Sequence, residues 1–216
     1  MQLLETRDLP TSSSLLVASL ILHTQEYYDN FVMSEYQTFL GRQADSRAFG
    51  SWVPELLNGA SPEVVETAIV SSGEYVAKHG STNSRWLTAL YQGLLGRAPD
   101  SQGLNGWLSQ LSAGSSRFLV AQGINTSVER ETRILNQDYL GFLQRSPDAA
   151  GLSYWLGQFQ FPQNATRTDV AVGIVGSDEF FERQGSDNTN FIIATYRDVL
   201  NRTPSQDEIN SWIVIM

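Results

Sequence analysis

Apolar residues recur at helical spacing along the chain. Leu87, Leu90, Tyr91, Leu94 and Leu95 fall at i, i+3, i+4, i+7 and i+8, which lines one face of a helix. Leu104, Trp107, Leu108 and Leu111 repeat the rule in the next stretch, and Val64, Val65, Ala68 and Ile69 in a third. No stretch sustains the two-residue alternation of a half-buried strand. The pattern predicts an all-α fold.

The helical pattern is itself repeated. Trp52, Trp107, Trp155 and Trp212 each follow an arginine by ten residues: Arg42, Arg97, Arg145 and Arg202. Each arginine follows a tyrosine by six: Tyr36, Tyr91, Tyr139 and Tyr196. The later part of the unit also recurs, as "VVETAIVSSGEY" (64–75), "LVAQGINTSVER" (119–130), "DVAVGIVGSDEF" (169–180) and "LVASLILHTQEY" (16–27). This predicts tandem helical repeats of about three helices per unit, packed as an array because one unit cannot bury its own apolar faces. The expected divisions are a trailing half repeat over 1–30, repeats over 31–80, 81–130 and 131–185, and a leading half repeat over 186–216. That register reads as a segment of a longer array. The alternative is that the half repeats pair with each other or with a second chain. The repeated tyrosines and tryptophans are expected in the core.

Between the helices, "GRAPD" (96–100) reads as punctuation rather than chemistry. Gly96 suits a left-handed helix end, Arg97 the negative end of the helix dipole, and Pro99 a stop. Asp45, Asp100 and Asp148 precede the second helix of their units, and Ser205 takes that place in the fourth. Ser and Asp share capping ability but not charge, so the position asks for an N-cap. Glu208 completes a capping box with Ser205, and Ser61 before Pro62 is a further cap.

The arginine is kept where the aspartate is lost, so it needs another partner. Glu26, Glu74, Glu129 and Glu179 stand at equivalent places near the end of the third helix. A planar guanidinium holds a carboxylate in two parallel bonds. The expectation is a structural Arg–Glu clamp, costing ~3–5 kcal/mol to break if it is buried.

Charge and composition narrow the function. The 216 residues carry 23 Asp plus Glu against 14 Lys plus Arg, a net charge of -9, which repels phosphate backbones and argues against nucleic-acid binding. No cysteine is present, which removes disulfides, thiolate metal sites and cysteine nucleophiles. "LLVASLIL" (15–22) is too short to span a bilayer. "MQLLETRDLP" carries Glu5 and Asp8 where a signal peptide has basic residues. His23 and His79 lack a ligand pattern, and no nucleophile elbow, phosphate loop or dinucleotide fingerprint occurs. No catalytic residue, cofactor or metal site is expected. Sequons stand at Asn125, Asn164 and Asn201, two of them at predicted helix ends. The irregular insertion "FQFPQNATRTD" (159–169) is the expected place for unit-specific recognition.

The phrase "YQGLLGRAPDSQGLNGWLSQLSAG" (91–114), followed by a "V…I…S.E" helix, resembles the bacterial repeat called domain of unknown function 4214. The resemblance covers 36–75, 91–130 and 139–180, with half matches at each end. It implies an exported chain of surface-layer, adhesin-like or calcium-repeat toxin-like type, and it brings no catalytic residues. More distantly, "NRTPSQDEINSW" (201–212) and "SSGEY" (71–75) are similar to the phycobilisome linker domain. Gln43-Ala44, Arg130 and the acidic balance depart from that second pattern. The reading is a non-catalytic extracellular or cell-surface scaffold. Its expected partners are a protein or a surface glycan, or a second copy met through the end repeats. An intracellular assembly linker, or an enzyme or binder acting on surface polysaccharide through exposed tryptophans, are the alternatives.

Overall fold

Four hydroxyl side chains divide what the apolar spacing reads as one helix. Thr24, Ser72, Ser127 and Ser177 each accept a hydrogen bond from the backbone N–H three residues on, at Tyr27, Tyr75, Arg130 and Phe180. Such a bond satisfies an orphan donor and starts a new helix. Each unit therefore holds four helical segments instead of about three. The computed structural model describes residues 12–160 and 163–216. The acidic start with Glu5 and Asp8 lies outside them.

In chain order the helices are α1 (Ser12–Leu22), α2 (Gln25–Glu35), α3 (Ser46–Leu57), α4 (Pro62–Ser71), α5 (Gly73–Lys78), α6 (Asn83–Leu95) and α7 (Ser101–Ser112). There follow α8 (Arg117–Asn125), α9 (Val128–Asp138), α10 (Ala149–Gln158), α11 (Arg167–Val175), α12 (Asp178–Arg183), α13 (Asn188–Leu200) and α14 (Gln206–Ile213). Among the described residues there is no strand, and no helix is long and apolar enough to cross a membrane.

Two of the four junctions between units have no break. From Glu26 to Tyr36 and from Glu129 to Tyr139 is ten residues; from Glu74 to Tyr91 and from Glu179 to Tyr196 is seventeen. Ten residues leave no room for a turn. So α2 runs on through a π-helical turn at Tyr36–Leu40, and α9 through another at Tyr139–Leu143. The seven extra residues hold Gly80 and Gly185, both at positive φ, and the N-caps Thr82 and Asp187. There the chain breaks and turns.

This alternation gives two halves. One core gathers residues from Tyr28 to Ile124, with Trp86, Leu87, Leu90 and Leu94 fully buried. The other gathers Val17–Leu22 with Leu135–Ile209, around Phe180 and Phe191. Each fully buried side chain of this size stabilises the fold by ~1.5–3 kcal/mol. The chain passes between the cores twice, so the two continuous helices straddle both. In each half the third helices pair, α4 on α8 and α1 on α11. Ser14 donates to the Gly176 carbonyl at 3.1 Å, and a Cβ on Gly176 would strike the Leu15 backbone.

The open array is corrected by this closure. α13 packs on α2 and α1, so the two end half repeats complete one unit within the chain. The tryptophans are corrected in part: Tyr91, Tyr139 and Tyr196 are buried, but Tyr36 and all four repeat tryptophans are half-buried at the rim. Trp107 and Trp155 lay their ring edges on Gly123 and Gly173, where a Cβ has no room.

Gly173→Ala should therefore lower stability by ~1–3 kcal/mol through overpacking against Trp155. Gly157→Ala, at an open place on α10, should be neutral or raise it by ~0.5–1 kcal/mol. Urea unfolding of the two variants checks the contrast.

Candidate functional site

Each unit carries the same linkage of four side chains. Arg42 Nε and Nη2 donate to the two oxygens of Glu74 at 2.6 and 2.8 Å. Arg97 holds Glu129 at 2.5 and 2.7 Å, and Arg145 holds Glu179 at 2.5 and 2.6 Å. Arg202 holds Glu26 at 2.5 and 2.8 Å across 176 residues of sequence, which closes the fourth unit. Every guanidinium also lies 4.8–5.2 Å from the centre of its unit's tyrosine ring. The tyrosine hydroxyl accepts the indole N–H at 3.3 Å for Trp52–Tyr36 and at 2.8–2.9 Å for Trp107–Tyr91, Trp155–Tyr139 and Trp212–Tyr196.

The glutamates are not at the end of the third helix. They sit in the first turn of the fourth, behind the hydroxyl caps described above. The linkages are also not buried: the arginine side chains are 34–42% exposed. Solvent screening makes such a pair worth far less than a buried one. The hydrogen bond from Arg42 holds the Glu74 carboxyl below its usual pKa, and that from Arg97 does the same for Glu129. Glu208, bonded first by Arg202 and then by Ser205, is pulled down to about 2.

The caps stand where the repeat places them. Asp45, Asp100 and Asp148 accept the N–H of Ala48, Gly103 and Gly151 at 2.9, 2.7 and 2.6 Å. Ser205 and Glu208 form the capping box, and Glu208 also bonds Arg202 at 2.6 Å. Glutamate thus restores the charge that the fourth unit loses with its aspartate. Ser61 is a correction. It occupies the cap position before Pro62, but its side chain makes no capping hydrogen bond. One repeated feature escaped the sequence reading. Asn30 donates to the Leu200 carbonyl at 3.2 Å, and at equivalent places Lys78 and Arg133 lie over Gly41 and Gly96. The left-handed glycines leave space for those basic side chains. The same helix end is Gln144 or Asn201, also at positive φ, in the other units.

A second site belongs to no repeat. It lies on the seam where the chain crosses between the cores. Arg167, the first residue of α11, sends Nη1 to Glu66 at 2.5 Å, Nε and Nη2 to Glu131 at 3.1 and 3.0 Å, and Nη2 to the Asn125 carbonyl at 2.6 Å. Its backbone N–H donates to Glu63 at 3.0 Å. Arg130 bonds Glu66 from the other side and donates to the Leu94 carbonyl at 2.8 Å. The side chains of Arg167, Arg130, Glu63, Glu66 and Glu131 are at most 11% exposed. Burial works against the Arg167 charge, but Glu66 and Glu131 outweigh it and hold its pKa above the ordinary value. Burial prevails at Arg130 and lowers its pKa, and it raises that of Glu131.

These seam residues are singular within the repeat. Glu66 stands where other units have Ala18, Ala121 and Ala171; Arg130 stands where they have Tyr27, Tyr75 and Phe180. The insertion 159–169 does not end in a free recognition loop: its C-terminal part delivers Arg167 into the seam. Residues 161 and 162 lie outside the described set. Asn125 is fully buried and donates to the Glu63 carbonyl and Thr67 Oγ1, so the sequon there is closed to modification. His23 and His79 bond the Ser19 and Tyr75 carbonyls of their own helical turns. Among the described residues no three carboxylate or imidazole groups converge as metal ligands.

A family model described as Domain of unknown function (DUF4214) matches residues 66–134, 135–184 and 174–216, more than two-thirds of the chain. No curated protein and no solved structure matches the sequence.

Removing Arg167 leaves three carboxylates buried without it, so Arg167→Ala should cost ~3–5 kcal/mol in denaturant unfolding. Arg97→Ala, at a screened linkage, should lower the Tm far less. The lowered carboxyls of Glu74, Glu129 and Glu208 contribute stability above their unfolded pKa of 4.5 and lose it as pH falls. A thermal series in acid should show the Tm falling from about pH 4.5 toward pH 2.

Proposed function

For a chain that belongs to the DUF4214 family, as this one does, we propose a non-catalytic role as a structural and interaction module at the cell surface. One observation carries the reading: the repeated polar residues are spent on holding the scaffold. Each arginine is taken by a glutamate, each tyrosine hydroxyl by an indole, and each aspartate by a helix start. The carboxylates outside the repeat are sealed in the seam instead of facing a cleft. The net charge of -9 favours a surface that stays dispersed and avoids anionic lipid.

The scaffold also presents apolar side chains at one repeated register. Leu16 and Leu20 on α1, Val64 on α4, and Phe118 and Leu119 on α8 are 37–59% exposed. Leu16, Val64 and Leu119 are equivalent positions, and the fourth is Asp169. A protein partner of the envelope is the chemistry that uses such a register, since apolar anchors ringed by polar residues are how protein interfaces gain affinity.

The immobilised chain should capture an envelope protein or glycan from its own organism and nothing of comparable affinity from the soluble fraction. Phe118→Asp with Leu119→Asp should reduce that capture at least ~10-fold while leaving the Tm within a few degrees, since surface changes cost ~0.5 kcal/mol or less. Capture of a single soluble partner, with the native protein found in the soluble fraction, would replace the surface role with that of an internal assembly linker.

A further inference from the structure

The seam holds more negative than positive charge. Glu35, Glu63, Glu66, Glu131 and Asp138 meet only Arg130 and Arg167 there. The arginine bonds go to Glu66, Glu131 and Glu63. Glu35 Oε2 and Glu63 Oε2 are buried without a hydrogen-bond partner. Unpaired buried anions are costly, so something must neutralise the surplus. The carboxylates do not converge as ligands for a metal. Protons are the remaining neutraliser.

Glu35 and Asp138 are placed to hold them. Each is the residue before the repeat tyrosine of a continuous helix, so each rides on one of the two elements that straddle both halves. We propose that the seam is a proton-controlled latch, closed while Glu35 and Asp138 carry protons and loosened when they give them up.

The surroundings agree from every side that faces them. Glu35 on α2 is faced by Glu66 of α4, Arg130 of α9 and Arg167 of α11; burial first, then Glu66, pushes its pKa up to about 8 against the two arginines. Asp138 on α9 is faced by Arg167 of α11, by Glu131 and Arg130 of its own helix, and by Tyr27 of α2; burial pushes it up to about 7. Both folded values lie above the unfolded ones of 4.5 and 3.8, so the native chain holds protons that the unfolded chain has lost. Stability is then greatest at mildly acid pH, falls as pH rises through neutrality, and levels off once both groups are ionised. The direction is opposite to that of the Arg–Glu linkages.

The test is a series from about pH 5 to pH 9 on the full chain, reading Tm and the amide exchange of α4 and α9 corrected for intrinsic rate. Wild type should lose Tm across the range, and its seam amides should open about tenfold more often, the equivalent of one pKa unit. Glu35→Gln with Asp138→Asn should flatten both trends. A wild-type profile without slope, or a double variant that falls in parallel with it, overturns the proposal. Carbon-13 titration of the Glu35 and Asp138 carboxyls in wild type decides the matter if the double variant does not fold. Midpoints near or above pH 7 support the latch, and midpoints below about pH 5 sink it.

Discussion

Four arginines fix where the ends of helices may go. Each guanidinium has one plane and uses all of it: its face lies on a tyrosine ring, one edge grips a carboxylate, and a further N–H reaches the carbonyl of the next residue. That geometry ties the C-terminal end of a unit's first helix to the N-terminal turn of its fourth. The glutamate is held there partly because a helix start favours negative charge. The indole joins through the tyrosine hydroxyl and anchors the second helix to the same point. Three helices are therefore set relative to one another by side chains that are only half-buried. The apolar cores supply the free energy, and the linkage selects the arrangement.

The same linkage explains how the chain closes. Arg202 reaches Glu26 with the bonds that Arg97 makes to Glu129, although one pair is 176 residues apart and the other 32. The fourth unit is a full unit assembled from distant parts of the sequence. The alternation of ten- and seventeen-residue junctions then sorts the units into pairs. A continuous helix carries the chain across to the other half, and a broken one keeps it in the same half. The seam falls where the continuous helices cross, and the buried ions collect there. Pairing at that depth adds little net stability over apolar packing, but it penalises any other register of the halves.

Much of this was open to reading from the residues. The tyrosine, arginine, tryptophan and glutamate positions recur at fixed spacing, and Asp45, Asp100, Asp148 and Ser205 announce their caps by chemistry alone. The hydroxyl caps at Thr24, Ser72, Ser127 and Ser177 were visible too, yet the apolar periodicity runs across them and hides the break. Lys78, Arg133 and Asn30 share a position but not a chemistry, so no pattern marked them. The seam was harder. Glu66 has the spacing of a core position and the charge of a surface one, and Arg167 sits in the least regular stretch of the chain. Arg130 alone gave a signal, as the departure from tyrosine in its repeat.

What the sequence by itself determined is the unit: helical periodicity, caps and the four-residue linkage are local or nearly so, and a fixed spacing is enough to specify them. The tertiary structure decided the closure, the pairing into halves and the burial of the unrepeated ions. Those depend on which faces meet across more than a hundred residues. A carboxylate's environment, and therefore whether it is a solvated surface group or a proton-holding buried one, is created only when the two halves come together.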